Sequence, residues 1–208
     1  MKNYYWIIIF SIVLIDQIFK IYVKTHFELN SSFYIFSFFR IYFIENPGMA
    51  YGINLGYGKI EKKILSITRI IFVLFIFYIL NKKKNCNKKY IIIPIILILS
   101  GSLGNLLDNI LYGILFNKGL TYNEYKKKWI SYPGISRINF NGYSSLLEGC
   151  GVDMLYFPII NSSFNTPFFG EFKFKFFNPI FNISDVSIFI GIVFIFLFKR
   201  KIINTIFF

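Results

Sequence analysis

Hydrophobic residues fall along this chain in four long runs, and the polar residues that interrupt them are few. Residues 4–23 are apolar apart chiefly from Asp16, Gln17 and Lys20, and residues 64–80 form a second run with Arg69 near one end, where a long side chain can snorkel to the interface. The third run covers residues 90–116, with Gly101, Gly104, Asn105 and Asp108 in its second half. The last, residues 181–200, opens on Asn182, Ser184 and Asp185 and closes on basic residues. A helix of about 20 apolar residues crosses the hydrocarbon layer. The pattern therefore predicts four spans, at about 4–23, 64–80, 90–112 and 183–199, in a single integral membrane domain of residues 1–208.

The stretches between the runs differ in kind. Residues 33–43 are aromatic and β-branched, too short to span, and predict a strand. A turn-rich stretch at 45–52 follows, in which Pro47 and Gly48 fix a tight reversal. Alternation of Phe172, Phe174 and Phe176 with Lys173 and Lys175 predicts further strand within 164–181. Residues 117–151 are polar, lack a strong period, and predict a surface insertion with some short strand.

Composition agrees with the runs: 55% hydrophobic residues and a mean hydropathy of +0.56 describe an integral membrane protein rather than a solvated globule. The net charge of +13 is carried largely by short clusters flanking the runs, with no aromatic-interleaved basic groove, which argues against nucleic-acid binding. Those clusters set topology instead. The loop 81–89 holds five lysines, and with Lys2, Lys199, Arg200 and Lys201 it places both termini in the cytoplasm. Segments 24–60 and 117–182 then lie outside, so both strand-forming regions share one side. Cys86 and Cys150 fall on opposite faces and cannot pair. No small-residue cleavage site follows the first run, so it is expected to be retained.

The chain has four aspartates, Asp16, Asp108, Asp153 and Asp185, and each lies in or against an apolar segment. A carboxylate at membrane depth is costly and asks for a reason. Asp16 and Lys20 stand at i and i+4, where they form either a tolerated ion pair or part of a polar stripe facing a site. Asn105 and Asp108 set an amide beside a carboxylate, more than packing alone requires. Asp185 opens the last run, either as a solvated helix start capped by Asn182 or Ser184, or as a functional carboxylate. With the assigned topology, all four acids collect toward the outer half of the membrane.

The lone His26 and the separated cysteines argue against a zinc site or a Cys–His pair. No Gly-x-Ser-x-Gly elbow, His-Glu-x-x-His helix or Gly-rich phosphate loop occurs. Carboxylate chemistry remains: two aspartates sharing a proton can split a peptide bond through water. The competing uses are an ion or proton path, as in a small proton-coupled transporter or channel, and a structural tetraspan subunit. A transporter would spread acids through the bilayer, whereas here they gather near one face.

The chain resembles the lipoprotein signal peptidases (signal peptidase II) over nearly its whole length. The resemblance is carried by Asp16-Gln17 with Lys20, Asn46 with Gly48 and Ala50, Gly101 with Gly104, Asn105 and Asp108, then Val152-Asp153, and Phe181-Asn182 with Asp185. It implies four transmembrane helices with a small extracytoplasmic β cradle, an all-α membrane fold otherwise, and an aspartic endopeptidase that uses neither metal nor cofactor. It implies that Asp153 and Asp185 are catalytic, and that Asp16, Lys20, Asn46, Gly48, Asn105, Asp108 and Asn182 orient them or hold substrate. The implied partners are a lipidated prolipoprotein, cut just before its diacylglyceryl-modified cysteine, and membrane lipid. The implied setting is a monomer in the bacterial inner membrane with its site on the extracytoplasmic side. The chain departs from the family at Asn109, where relatives carry an arginine, at Ser102 in place of one of a glycine pair, at Ser184 where alanine is common, and in its long insertion.

Overall fold

Helix α3 (Lys89–Leu115) is the post around which the other helices stand. It is buried along most of its length, whereas α1 (Asn3–His26) and α2 (Lys59–Lys83) turn most of theirs outward. The outward residues are apolar, among them Ile7, Phe10, Ile71 and Phe75. In water such belts would be unstable; against acyl chains they cost nothing, and the three helices are long and apolar enough to span. The computed structural model describes residues 3–48, 58–83, 86, 88–158, 160–166, 170–176, 179–199 and 201. Ala50, a position in the family resemblance, lies outside them, as do Lys2 and Arg200.

The strands are β1 (Ser32–Phe36), β2 (Phe39–Asn46), β3 (Thr121–Asn123), β4 (Lys128–Ile130), β5 (Gly151–Tyr156), β6 (Ile160–Thr166), β7 (Gly170–Phe176) and β8 (Ile180–Phe181). Where the composition of residues 33–43 predicts one strand, the chain makes a hairpin, reversing at Ser37 and Phe38. Its second strand joins an antiparallel sheet in the order β1-β2-β5-β8. The register sets Glu45 opposite Val152 and Asn46 opposite Gly151. Strands β6 and β7 form a separate hairpin that includes the predicted alternating segment, and β3 and β4 form another inside the insertion.

Two apolar clusters hold the parts together. One, around Ile9, Val73, Leu80, Ile92, Ile96 and Leu99, packs α1 and α2 on α3. The other joins helix ends to sheet through Val23, Phe43, Tyr112, Phe116, Val152 and Met154. In the cluster that joins helix ends to the sheet, a buried side chain of this size contributes about 1.5–3 kcal/mol through removal from water; between the spanning helices, where lipid tails are as apolar as the side chains, the gain comes from close packing.

Helix α4 (Ile183–Leu197) is shorter than the span expected at 183–199. Its 15 residues reach about 22 Å at 1.5 Å per residue, less than the hydrocarbon thickness of about 30 Å. It begins at Ile183, as expected, and its regular helix ends at Leu197. Ser184 is level with Gly101 and Gly104, and a Cβ at either glycine would run into Ser184. Farther along α4, Gly191 lies on Pro94 and Ile98, and Phe198 stacks on Tyr90 near the start of α3. The two helices thus run antiparallel, even at one end, while at the other α3 continues about three turns past the first turn of α4. Strands β5 and β8 enter above that recess.

Candidate active site

Asn182 ends the sheet and starts α4, and its side chain serves both. As N-cap, its Oδ1 accepts the Asp185 backbone N–H at 2.9 Å, while the Asp185 carboxylate accepts the Asn182 N–H at 3.3 Å, a reciprocal capping box. Its Nδ2 donates to Asp153 Oδ1 at 2.7 Å. Asn182 is 2% exposed, so the helix start read from sequence is capped as expected but not solvated. Asp153 sits in the middle strand pair, where the central position of β5 and the pairing with β2 bring Asn46 Nδ2 to its other oxygen at 3.2 Å.

Beneath this pair lies a buried polar set from α1 and α3. The Lys20 ammonium contacts Asp16 at 2.8 Å and Asp108 at 2.7 Å, and donates to Asn105 Oδ1 at 3.0 Å. With three acceptors for three N–H bonds, the cation is fully used, which is what makes its complete burial tolerable. Gln17 donates to Asp108 at 2.9 Å, and Tyr112 donates to Gln17 at 3.1 Å. The other Asp16 oxygen accepts the Ser184 N–H at 2.8 Å, at the N-terminus of α4, where a negative charge is favoured. Asn105, oriented by Lys20, donates its Nδ2 to Asp185 Oδ1 at 2.8 Å. Asp16 and Lys20 are therefore an ion pair and also the base of a site.

Asn46, Gly48, Asn105, Asp153, Asn182 and Asp185 line one cavity of about 320 Å³, whose remaining wall includes Phe72, Ile188, Phe189 and Ile192. All nine residues expected at the site converge here, six lining the cavity and Asp16, Lys20 and Asp108 supporting it from below. Burial first, and the neighbouring Asp185 charge second, push the Asp153 carboxyl up to about 7, against the hydrogen bonds from Asn46 and Asn182. The cavity thus has one polar end and one apolar wall.

Arg69 departs from the sequence reading. Instead of snorkelling, it turns into the cavity and donates to the Gly48 carbonyl at 3.2 Å and the Asn105 carbonyl at 3.4 Å. A signal for this exists in the spacing: Lys62, Ser66 and Arg69 share one face of α2, continued by the buried Val73, Ile76 and Leu80. Lys62, 2% exposed, donates to Asn109 Oδ1 at 2.9 Å. A cation from α2 thus stands against the amide at the position where family resemblance leads one to expect an arginine. Cys150 offers no nucleophile, being fully buried with its thiol pushed up to about 12 by that burial.

Comparison with known proteins places the chain in a family. The family model described as signal peptidase (SPase) II matches residues 8–200. The lipoprotein signal peptidase of Porphyromonas gingivalis is 36% identical over 192 residues, 89% of this chain and 78% of that protein. The lipoprotein signal peptidase of Amoebophilus asiaticus is 29% identical over 209 residues, 97% of this chain and 79% of its own length. A solved bacterial membrane enzyme, determined by the in meso method at 2.3 Å, shares the fold with a TM-score of 0.60 at 23% identity, covering 97% of this chain and 90% of that one. A helix-rich membrane scaffold, a carboxylate pair at a sheet–helix junction and these matches lead to one conclusion: the chain belongs to the signal peptidase II family of membrane aspartic endopeptidases.

Proposed function

We propose that Asp153 and Asp185 are the catalytic dyad and that this peptidase removes the signal peptide from diacylglyceryl-modified prolipoproteins, cutting before the lipidated cysteine. The observation that carries the reading is the shared partner: Asn182 donates its side chain to Asp153 and its backbone N–H to Asp185, at the edge of one cavity. Two carboxyl groups so linked favour a state with a single proton between them. The ionised member takes a proton from water as its oxygen adds to the scissile carbonyl carbon, and the protonated member donates to the carbonyl oxygen. Collapse breaks the C–N bond with the proton delivered to nitrogen, giving a carboxylic acid on the signal peptide and a free amine on the lipidated cysteine.

The supporting roles follow from contacts. Asn46, Asn182 and Asn105 orient the two carboxyls, and Asp16, Lys20 and Asp108 hold Asn105 and the α4 start. Gly48 presents the carbonyl that Arg69 grips. In this reading α4 is the fourth span, recessed at its outer end so that the dyad lies below the outer rim of α3, and the sheet is an extracytoplasmic cradle over it. Basic flanks place both termini in the cytoplasm. A protomer with its whole site on one chain works as a monomer, with lipid holding the diacylglyceryl group in the plane of the enzyme, a proximity contribution.

The test is cleavage of a lipidated prolipoprotein by the reconstituted enzyme. Asp153→Asn and Asp185→Asn are each expected to lose at least about a hundredfold in kcat while remaining folded. Wild-type turnover in either variant rejects the dyad.

A further inference from the structure

We propose that the insertion at residues 117–151, up to the start of β5, is a positioning device for Asp153, acting through a buried knot of Tyr132, Glu45 and Lys24 and from there through Asn46. The inference rests on the dyad reading and adds to it a role for the segment that departs most from the family pattern.

The knot closes on Glu45. One carboxylate oxygen accepts from the Lys24 ammonium and from the Tyr132 hydroxyl, the latter at 2.6 Å; the other accepts the Leu120 N–H at 2.8 Å. Lys24 is fully buried, and its charge lies over the rings of Phe116, Tyr132 and Tyr143 at 5.0, 5.5 and 5.2 Å. The Tyr143 hydroxyl in turn accepts the Cys150 N–H at 2.9 Å, one residue before β5 begins. The insertion therefore grips β2 at Glu45 and fixes where β5 starts.

That location matters because Asn46 opposite Gly151 is the last pair of the β2–β5 ladder, where fraying is easiest. Successive side chains of a strand point to opposite faces, so Glu45 held on one face sets the rotation of Asn46 on the other. Asn46 is the residue that donates to Asp153 Oδ2 at 3.2 Å. A buried Lys–Glu pair is a poor investment in stability alone, since apolar residues of similar volume serve as well or better. Its use here is geometric: it fixes one strand end beside one carboxyl.

The full-length enzyme, reconstituted with a diacylglyceryl-modified prolipoprotein, gives the test. Tyr132→Phe keeps the ring over Lys24 and removes only the hydroxyl. Loss of a hydrogen bond to a charged group predicts a fall in kcat of about tenfold, with KM unchanged. In an Asn46→Ala background the same substitution is expected to change nothing further, because its effect passes through Asn46. Wild-type kcat in Tyr132→Phe, wild-type kcat in Asn46→Ala, or losses that multiply in the double variant would each overturn the proposal. If Tyr132→Phe fails to fold, Glu45→Gln enters the same cycle and is read the same way. Failure of the dyad reading is separate: it appears as activity in Asp153→Asn, whatever the cycle gives.

Discussion

Asn182 donates its side-chain amide to Asp153 across 2.7 Å, so the residue that caps α4 also holds the carboxyl of a strand. Removing that amide should harm stability and turnover together. Asn182→Ala loses an N-cap, costing about 1 kcal/mol, and leaves one Asp153 oxygen without its donor. The expected result is a lower unfolding temperature in detergent with a kcat loss larger than that of an N-cap variant elsewhere. Unchanged kcat would show that the cap alone matters.

The protonation of Asp153 gives a pH prediction. Burial and then the Asp185 charge raise this carboxyl to about 7. A carboxyl raised in the folded state keeps its proton where the unfolded chain has released it. Its contribution to folding is therefore complete below about pH 4 and is lost as pH rises to about 7. Turnover should follow the same proton, with kcat/KM falling on the basic side near pH 7 as the one-proton dyad is depleted. In Asp185→Asn the neighbouring charge is gone while burial remains, so infrared titration of the Asp153 carboxyl should show a value moved partway down. An unmoved value would mean the two carboxyls do not interact.

Lys20 offers the largest stability effect. It is the shared cation of Asp16 and Asp108, both fully buried. Lys20→Met strands two acids without their counter-charge, a loss of about 3–5 kcal/mol. It also frees Asn105, which carries the link to Asp185. Denaturant titration in micelles is expected to show a protein close to its limit of stability, and Lys20→Arg should recover part of the loss in stability but little of the turnover.

Gly101 lets α3 and α4 approach until a Cβ there would overlap the Ser184 carbonyl. Backbone cannot yield as a flexible side-chain end can, so Gly101→Ala must separate the helices at a cost of about 1–3 kcal/mol. Separation moves Asp185 away from Asn105, so turnover should fall although no site side chain has changed. Introducing alanine at the exposed Ile71 of α2 serves as the contrast, with little effect on either measurement.

Much of this site was legible without coordinates, for identifiable reasons. Asp16, Asn105, Asp108 and Asp185 stood out because a polar group in an apolar run is costly enough to need a use, and a run of 20 residues is long enough for its period to be read. Asn182 was legible as a helix cap because capping is local. Arg69 was misread because its fate depends on which face of α2 packs inward, and position along a helix does not reveal that; the face shared with Lys62 and Ser66 was the better guide. The hairpin reversing at residues 37–38 is not legible because Ser37 is a single turn-type residue in a largely aromatic and β-branched stretch, too little to mark a reversal.

The sequence by itself determined the membrane class, the number of long apolar segments, the strand-forming regions between them and the set of polar residues worth a carboxylate mechanism. These follow from transfer free energies and backbone propensities, which act over neighbouring residues. Only the tertiary structure decided that α4 begins three turns short of the end of α3, that Asn182 joins Asp153 to Asp185, and that an insertion more than a hundred residues from Lys24 in places closes around Glu45. Such contacts depend on how apolar faces and glycine-lined approaches dock elements far apart in sequence, and no local pattern records that docking.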